Sequence, residues 1–419
     1  MPIHVIGLGT DLQDQPDSVR ELLSSCTVLV GGQRMLEACG NYPARQIQIK
    51  APLESVLAEI QTAKAQREQI AVLADGDPLF YGIGRRLLQD LPAQDLHFHP
   101  GITALQTAAA RLKIPWDQVR TVSLHGRLEL HPLLRLMSRH ELIGVYTDAT
   151  WSPDALAREL LKRDIDHFIL HVCEDLGLGT EKLLTLDCAQ AADMRFSTLN
   201  FVLLERTQRP ERKLTLGTPE EHLEHENSLI TKAEIRSTAL GCLHIQPGHT
   251  VWDIGAGCGS IGLEASLLAW NGRVICVESD PKRAEHIRTN RVRTGAYALD
   301  IVTGNAPECF SELPDPDRIV VGGGISRSPD LVPQALDRLR PGGKIMILCT
   351  LLSTLHQARD QLGKAGLEAD VQQISISRSR SIGTDKRLEP LNPVFLVSFA
   401  FSKSDPFFGP KRPKEEDMH

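Results

Sequence analysis

Residues 251–264 read VWDIGAGCGSIGLE: an apolar run holding one acid, a turn with glycine at 255, 257 and 259, and the start of a helical pattern. Glycines at alternate positions let the backbone turn sharply and let a ligand approach where a Cβ would block it. Glu278 closes the next apolar stretch, where a strand-end acid can accept hydrogen bonds from a ribose. The turn residues Gly255, Ala256, Gly257, Cys258 and Gly259, together with Glu278, predict a nucleoside-bearing cofactor. Gly257, Gly259 and Gly262 also match the dinucleotide fingerprint G-x-G-x-x-G, so a dinucleotide stays open, as does a turn that binds nothing. Asp253 tips the balance, because a carboxylate two residues before the first glycine repels a pyrophosphate but can hold an ammonium or sit near a sulfonium. S-adenosylmethionine, with a ribose, a cationic end and no phosphate, is the cofactor expected.

The elements that position this turn belong to a chain of 419 residues, longer than one ordinary core, so two or three domains are expected. With 42% hydrophobic and 24% charged residues the composition is globular, and a formal charge of −7 without a long basic block argues against nucleic acid as a partner. Nine scattered cysteines, never spaced C-x-x-C, suggest neither a disulfide framework nor a zinc site. The first residues lack a basic stretch followed by a long apolar one, and no segment approaches the length of a bilayer span. A cytoplasmic protein without a membrane partner is expected.

Apolar strand-like runs alternate with helical patterns, which favours α/β architecture with mainly parallel sheets. The charged, proline-bearing stretch ERTQRPERK at 205–213 breaks the pattern. It predicts a front domain over 1–206, a linker over 207–213 and a rear domain over 214–401. The proline- and charge-rich tail 402–419 is expected to be disordered. Rear strands are predicted at 249–254, 273–278, 299–303, 318–321 and 344–348, with 371–377 and 394–401 pairing across a long loop as an antiparallel edge. Front strands at 4–6, 69–74 and 96–98 run into glycine-rich loops, which would converge on one sheet edge as a crevice.

The front half resembles the tetrapyrrole (precorrin) methylase family through VIGLGT at 5–10, DGDPLFYG at 75–82, PGITA at 100–104, SLHGR at 123–127 and CEDLG at 173–177. That resemblance implies a fold of two α/β subdomains and a cofactor pocket at Gly76, Asp77, Pro78, Thr103 and Ala104. It also implies that the opening glycine loop, Gly7 and Gly9, faces the tetrapyrrole. The rear half resembles the Rossmann-like decarboxylating precorrin methyltransferases through LITKAEIR at 229–236, the glycine turn, GNAPE at 304–308, VGGG at 321–324 and LNPV at 391–394. This second likeness implies a class I methyltransferase domain, with Thr231, the glycine turn, Glu278, Asn305 and Ala306 around S-adenosylmethionine. Ile230 departs from the methionine common in that family and Cys258 from its threonine, and neither change removes a group with obvious chemistry. Together, in this order, the halves resemble the fused enzymes of cobalamin synthesis. Those methylate carbons 5 and 15 of a precorrin, or its cobalt form, and remove carboxylate from the ring C acetate. The resemblance implies one S-adenosylmethionine per domain and a homo-oligomer.

Such a substrate carries many carboxylates, and the protein must grip them. Lys232 and Arg236, four apart beside the cofactor turn, and Arg378 and Arg380, with Lys386 and Arg387 on the late loop 378–388, are the candidates, with ordinary surface charge as the competing reading. His125 is the acid/base candidate of the front domain, against a structural hydrogen bond. Glu234 and Glu264 could handle protons in the rear. The H-x-x-H at 222–225, with acids on either side, and the pair His97 and His99 invite a metal reading but lack further partners, so no metal is expected. The rival is a siroheme-type fusion of NAD-dependent oxidoreductase and methylase, in which the dinucleotide domain comes first, the reverse of the order here. A second rival is a nucleic-acid or protein methyltransferase; amino-group methylation of bases usually calls for Asn/Asp-Pro-Pro-aromatic after the fourth strand, where VVGGG stands.

Overall fold

A computed structural model of the chain describes residues 2–10, 15–227 and 229–399, so the tail 402–419 lies outside the described residues. The chain forms two compact units whose principal break falls between Gln208 and Arg209.

In the front unit, β1 (Ile3–Gly7), β2 (Val28–Gly31), β3 (Arg45–Gln48), β4 (Ile70–Ala74) and β5 (Leu96–His99) form a parallel sheet in the order β3-β2-β4-β1-β5. Continuous apolar runs such as IAVLA in β4 are buried along their whole length because both faces are covered. Ile3, Val5 and Val72 pack with Val56, Leu57 and Ile60 of the helix Leu53–Ala65, while Ile6, Leu29 and Leu73 pack with Leu23 and Leu36 on the other side. A second sheet holds β6 (Arg120–Ser123), β7 (Leu142–Tyr146), β8 (Phe168–Glu174), β9 (Lys182–Asp187) and β10 (Asn200–Arg206), in the order β6-β7-β10-β8-β9. Here only β6 and β7 are parallel, so the expectation of mainly parallel pairing fails for this sheet. Residues 175–181 are too few for the crossover that a parallel β8–β9 pair would need.

The rear unit is built on β11 (Thr250–Ile254), β12 (Arg273–Glu278), β13 (Leu299–Thr303), β14 (Arg318–Val321), β15 (Lys344–Cys349), β16 (Asp370–Ile374) and β19 (Val394–Ser398). The sheet order is β13-β12-β11-β14-β15-β19-β16, with the first five strands parallel and β19 antiparallel to both neighbours. The late segment read as a long loop is a hairpin instead, β17 (Ser377–Ile382) and β18 (Asp385–Pro390). Its two-residue turn has Gly383 at φ +57°, the backbone that a tight hairpin requires. Nearly all its residues are exposed, so no apolar alternation marked it as strand.

Along β11, alternation sends Val251 into the core shared with Ile261 and Leu263 of the helix Ser260–Leu268, and Trp252 and Ile254 into the core on the opposite face. After β12, Asp280 caps the helix Pro281–Thr294 by accepting the Lys282 amide, with proline at the first helical position.

Candidate active site

At the carboxyl ends of β1, β4 and β5 the front unit brings Gly7, Gly76 and Gly101 into backbone contact. A Cβ on Gly101 would lie 2.6 Å from the carbonyl oxygens of both Gly7 and Gly76. This corrects the expectation for Gly7 and Gly9. Both are buried, Gly7 against this junction, where a Cβ would lie 2.6 Å from the Gly101 amide nitrogen, and Gly9 in a bridge to Gly76 at φ +69°, so glycine is needed for close approach at 7 and for the backbone turn at 9 rather than for facing a substrate. Next to the junction is a cavity of about 400 Å³ lined by Gly76, Asp77, Thr103, Ala104, His125 and Tyr146 among others. Four predicted cofactor residues thus share one wall system; Pro78 is buried and outside it.

Thr103 caps the helix Ala104–Leu112 through a reciprocal box with Gln106, which fixes the turn against the cavity. Asp77 accepts the Leu79 amide at 2.8 Å, holding its own loop. His125 is exposed to the cavity, and its imidazole makes no hydrogen bond among the described residues. Burial pushes the Tyr146 hydroxyl up to about 12, so it stays a proton donor across the neutral range. Nothing in the sequence marked Tyr146. It reaches the cavity only because β7 ends there.

The rear unit has a second crevice, about 320 Å³, at the carboxyl ends of β11, β12 and β14. The strand order reverses between β11 and β14, the place where open α/β sheets bind ligands. Gly255, Glu278, Asn305 and Ala306, four of the residues singled out from the sequence, line it with Gly322, Gly323, Gly324, Arg283, Glu308 and Arg327. Gly255 sits at φ +66° with Gly323 so close that a Cβ would lie 2.7 Å from its amide nitrogen. Glu278 accepts the Gly257 amide at 2.8 Å on Oε2 and the Asp280 amide at 3.0 Å on Oε1. These bonds fix the carboxylate while leaving each oxygen a lone pair for a hydroxyl. Such a turn with an oriented acid fits the ribose of an adenosine.

Several predicted residues are placed elsewhere. Asp253 does not stand at the crevice. Strand alternation turns it under the helix Ser260–Leu268, where Oδ2 accepts the Gly262 amide at 2.8 Å and Oδ1 has no partner. Burial pushes this carboxyl up to about 7, so it cannot act as the surface acid that selects a cationic ligand. The Cys258 side chain joins the core, with its thiol pushed up by burial, and Ala256 packs on the same cluster. Only their backbone stays available to the turn.

Arg236 and Glu264 are both fully buried and paired, Nε to Oε1, at 2.8 Å. Arg236 also donates to the carbonyls of Thr218 and Thr231, and Glu264 accepts the amides of Gly217 and Thr218 at 3.0 Å. Neither the substrate-binding expectation for Arg236 nor the proton-handling one for Glu264 survives, because neither group reaches solvent. Arg378 donates bidentately to Glu220 and to Glu234. Its guanidinium holds Glu220 down at about 2 and Glu234 below the usual carboxylate range. The triad pins the hairpin to the helix Ala233–Leu243, which leaves Glu234 no proton to give and Arg378 no free fork. Arg380 is exposed and paired with Glu389 at 3.1 Å. Lys232 precedes that helix, half-buried and without a side-chain hydrogen bond or ion pair among the described residues; neither it nor Thr231 lines the crevice. Among the described residues no group of three His, Cys, Asp or Glu could hold a metal, and no helix is long and apolar enough to cross a membrane.

Over 403 residues the chain is 30% identical to precorrin-6Y C(5,15)-methyltransferase (decarboxylating) of a Sinorhizobium species, covering 94% of each protein. The chain belongs to this family. It is therefore an S-adenosylmethionine-dependent, decarboxylating C-methyltransferase of cobalamin biosynthesis. Profiles for tetrapyrrole (corrin/porphyrin) methylases and for the precorrin methyltransferase domain match residues 2–192 and 221–401. The namesake protein of Mycobacterium tuberculosis is 28% identical over 355 residues, 82% of this chain and 86% of that one. A Pyrobaculum calidifontis protein named "probable cobalt-precorrin-6B C(15)-methyltransferase (decarboxylating)" is 36% identical over 187 residues, 44% of this chain and 95% of its own. These relatives give no support to the siroheme-type reading.

Proposed function

We propose that each unit of this family member binds its own S-adenosylmethionine and performs its own methyl transfer on one tetrapyrrole. The front unit methylates carbon 5 of precorrin-6Y, or of its cobalt form. The rear unit methylates carbon 15 and releases the ring C acetate carboxylate as carbon dioxide. The observation that carries this division is the presence of two separate crevices at strand carboxyl ends, one in each unit. S-adenosylmethionine supplies an electrophilic methyl group when bound. The enamine-like bridging carbons of a reduced tetrapyrrole then need orientation more than a strong base. In the front crevice Thr103 and Ala104 hold the donor, and His125, which lines the same crevice, is the acid/base group. In the rear, Glu278 and the Asn305-Ala306 turn hold the donor's nucleoside. When the C–CO2 bond breaks, its electron pair passes into the conjugated macrocycle and a proton then completes the new methyl group, so neither a metal nor an added electron sink is needed.

Incubating the full chain with methyl-labelled S-adenosylmethionine and precorrin-6Y should yield a product with two labelled methyl groups and one carbon dioxide fewer. Calorimetric titration with S-adenosylhomocysteine should find two sites per chain. A doubly methylated product that keeps every carboxylate, or a single site per chain, would refute the division. The same reading includes a cytoplasmic homo-oligomer, whose size sedimentation velocity measures.

A further inference from the structure

Among the charged side chains of the rear crevice, Glu278 is tied to two backbone amides and the Arg283 guanidinium lies 3.4 Å from Asp280. Arg327 is the cation that differs: it is exposed and, like the exposed acid Glu308 of the same lining, has no hydrogen bond or ion pair among the described residues. It is carried by the loop that follows β14, beside the reversal of strand order. The backbone of that loop is held on both sides of Arg327. Ile325 is buried in the core, and buried Gln361, from the helix Leu352–Lys364, donates to the carbonyls of Ile325 at 3.3 Å and Ser328 at 3.0 Å. Gln361 in turn accepts the Val332 amide at 3.0 Å, and the Arg327 amide bonds Gly324 at 2.9 Å. A long cation on a fixed backbone, lining a crevice and lacking an acid of its own, is arranged for an anionic ligand.

We propose that Arg327 anchors the polycarboxylate macrocycle in the rear unit by gripping one of the carboxylates that the substrate keeps, with Gln361 as the positioning residue behind it. This rests on the function proposed above. The retained carboxylate follows from the chemistry of the step. As carbon dioxide departs, negative charge leaves the carboxylate for the ring, so a guanidinium on that group would stabilise the ground state more than the transition state and slow the reaction. A guanidinium on a neighbouring side chain binds both states alike and sets orientation without this cost.

The test uses the full chain with Arg327→Ala and Arg327→Lys. It reads the KM for precorrin-6Y in label transfer to carbon 15, the affinity for S-adenosylhomocysteine, and the ratio of carbon dioxide released to carbon-15 methyl gained. For Arg327→Ala the KM should rise about 10- to 100-fold, the loss of a charge-assisted bidentate contact. Lysine should recover part of this, since it keeps the charge but not the fork. Affinity for S-adenosylhomocysteine should stay within about twofold, and the ratio should stay at one. An unchanged KM would overturn the proposal. Weakened S-adenosylhomocysteine binding would overturn it too, because Arg327 would then serve the donor's own carboxylate, and a changed ratio would place it on the departing group. Failure of the wild-type chain to convert precorrin-6Y would instead remove the functional reading, and this inference with it.

Discussion

Replacing Arg236 by alanine should damage the stability of the rear unit rather than substrate recognition. At the observed 2.8 Å, with an effective dielectric of about 20, the gross attraction between Arg236 and Glu264 is about 6 kcal/mol, most of it offset by taking both charges out of water. Removing one partner leaves that cost unbalanced. It would strand the Glu264 carboxylate with only the Gly217 and Thr218 amides, and would deprive the carbonyls of Thr218 and Thr231 of a donor. Broken buried pairs cost about 3–5 kcal/mol, and the two remaining amides place the expected loss at about 3–4 kcal/mol. Urea unfolding followed by hydrogen exchange of the buried strand Thr250–Ile254 reads the rear unit. The double variant Arg236→Met/Glu264→Gln should be at least about 2 kcal/mol more stable than the sum of the single losses, because no buried charge remains. A loss below about 1 kcal/mol for Arg236→Ala, or a higher precorrin KM at wild-type stability, would refute the reasoning.

Two further outcomes follow from the same kind of accounting. The Asp253 carboxyl titrates near 3.8 unfolded and about 7 folded, so the folded state binds the extra proton, and stability declines as pH rises from about 4 to about 7, by up to about 4 kcal/mol. Asp253→Asn keeps an acceptor for the Gly262 amide and cannot ionise. Its melting temperature relative to wild type should therefore climb between about pH 5 and pH 8, and a flat difference would contradict the burial argument. Gly101→Ala puts a methyl 2.6 Å from two carbonyl oxygens, so the front crevice must deform, at a cost of about 2 kcal/mol or more. Calorimetry should then find one S-adenosylhomocysteine site per chain in place of two, and two intact sites at wild-type stability would show that the junction does not support the cavity.

Much of this could be read before any coordinates. The parallel strands of the rear unit have near-continuous apolar runs, and the glycine turn after β11 with Glu278 after β12 is a local signature, so both were legible. Asp253 was misassigned although the signal was present: it shares a strand face with Val251, and that face is covered by a helix. Arg236 also left a trace, at the head of the spacing Arg236, Ala239, Leu240, Leu243, all buried on one side of the helix Ala233–Leu243. The hairpin of β17 and β18 left none, because strands of serine, arginine and lysine without an apolar face read as a charged loop.

By itself the sequence determined where strands end in glycine turns and what kind of molecule those turns admit, since backbone freedom and period-two burial are properties of a few neighbouring residues. Only the tertiary structure decided which charges line the crevices. Whether an arginine reaches a crevice or disappears into an ion pair depends on residues far along the chain, Glu264 for Arg236, Glu220 for Arg378 and Gln361 for the backbone beside Arg327. Burial converts those distant pairings into cost or function, because a charge out of water must find its partner inside the protein.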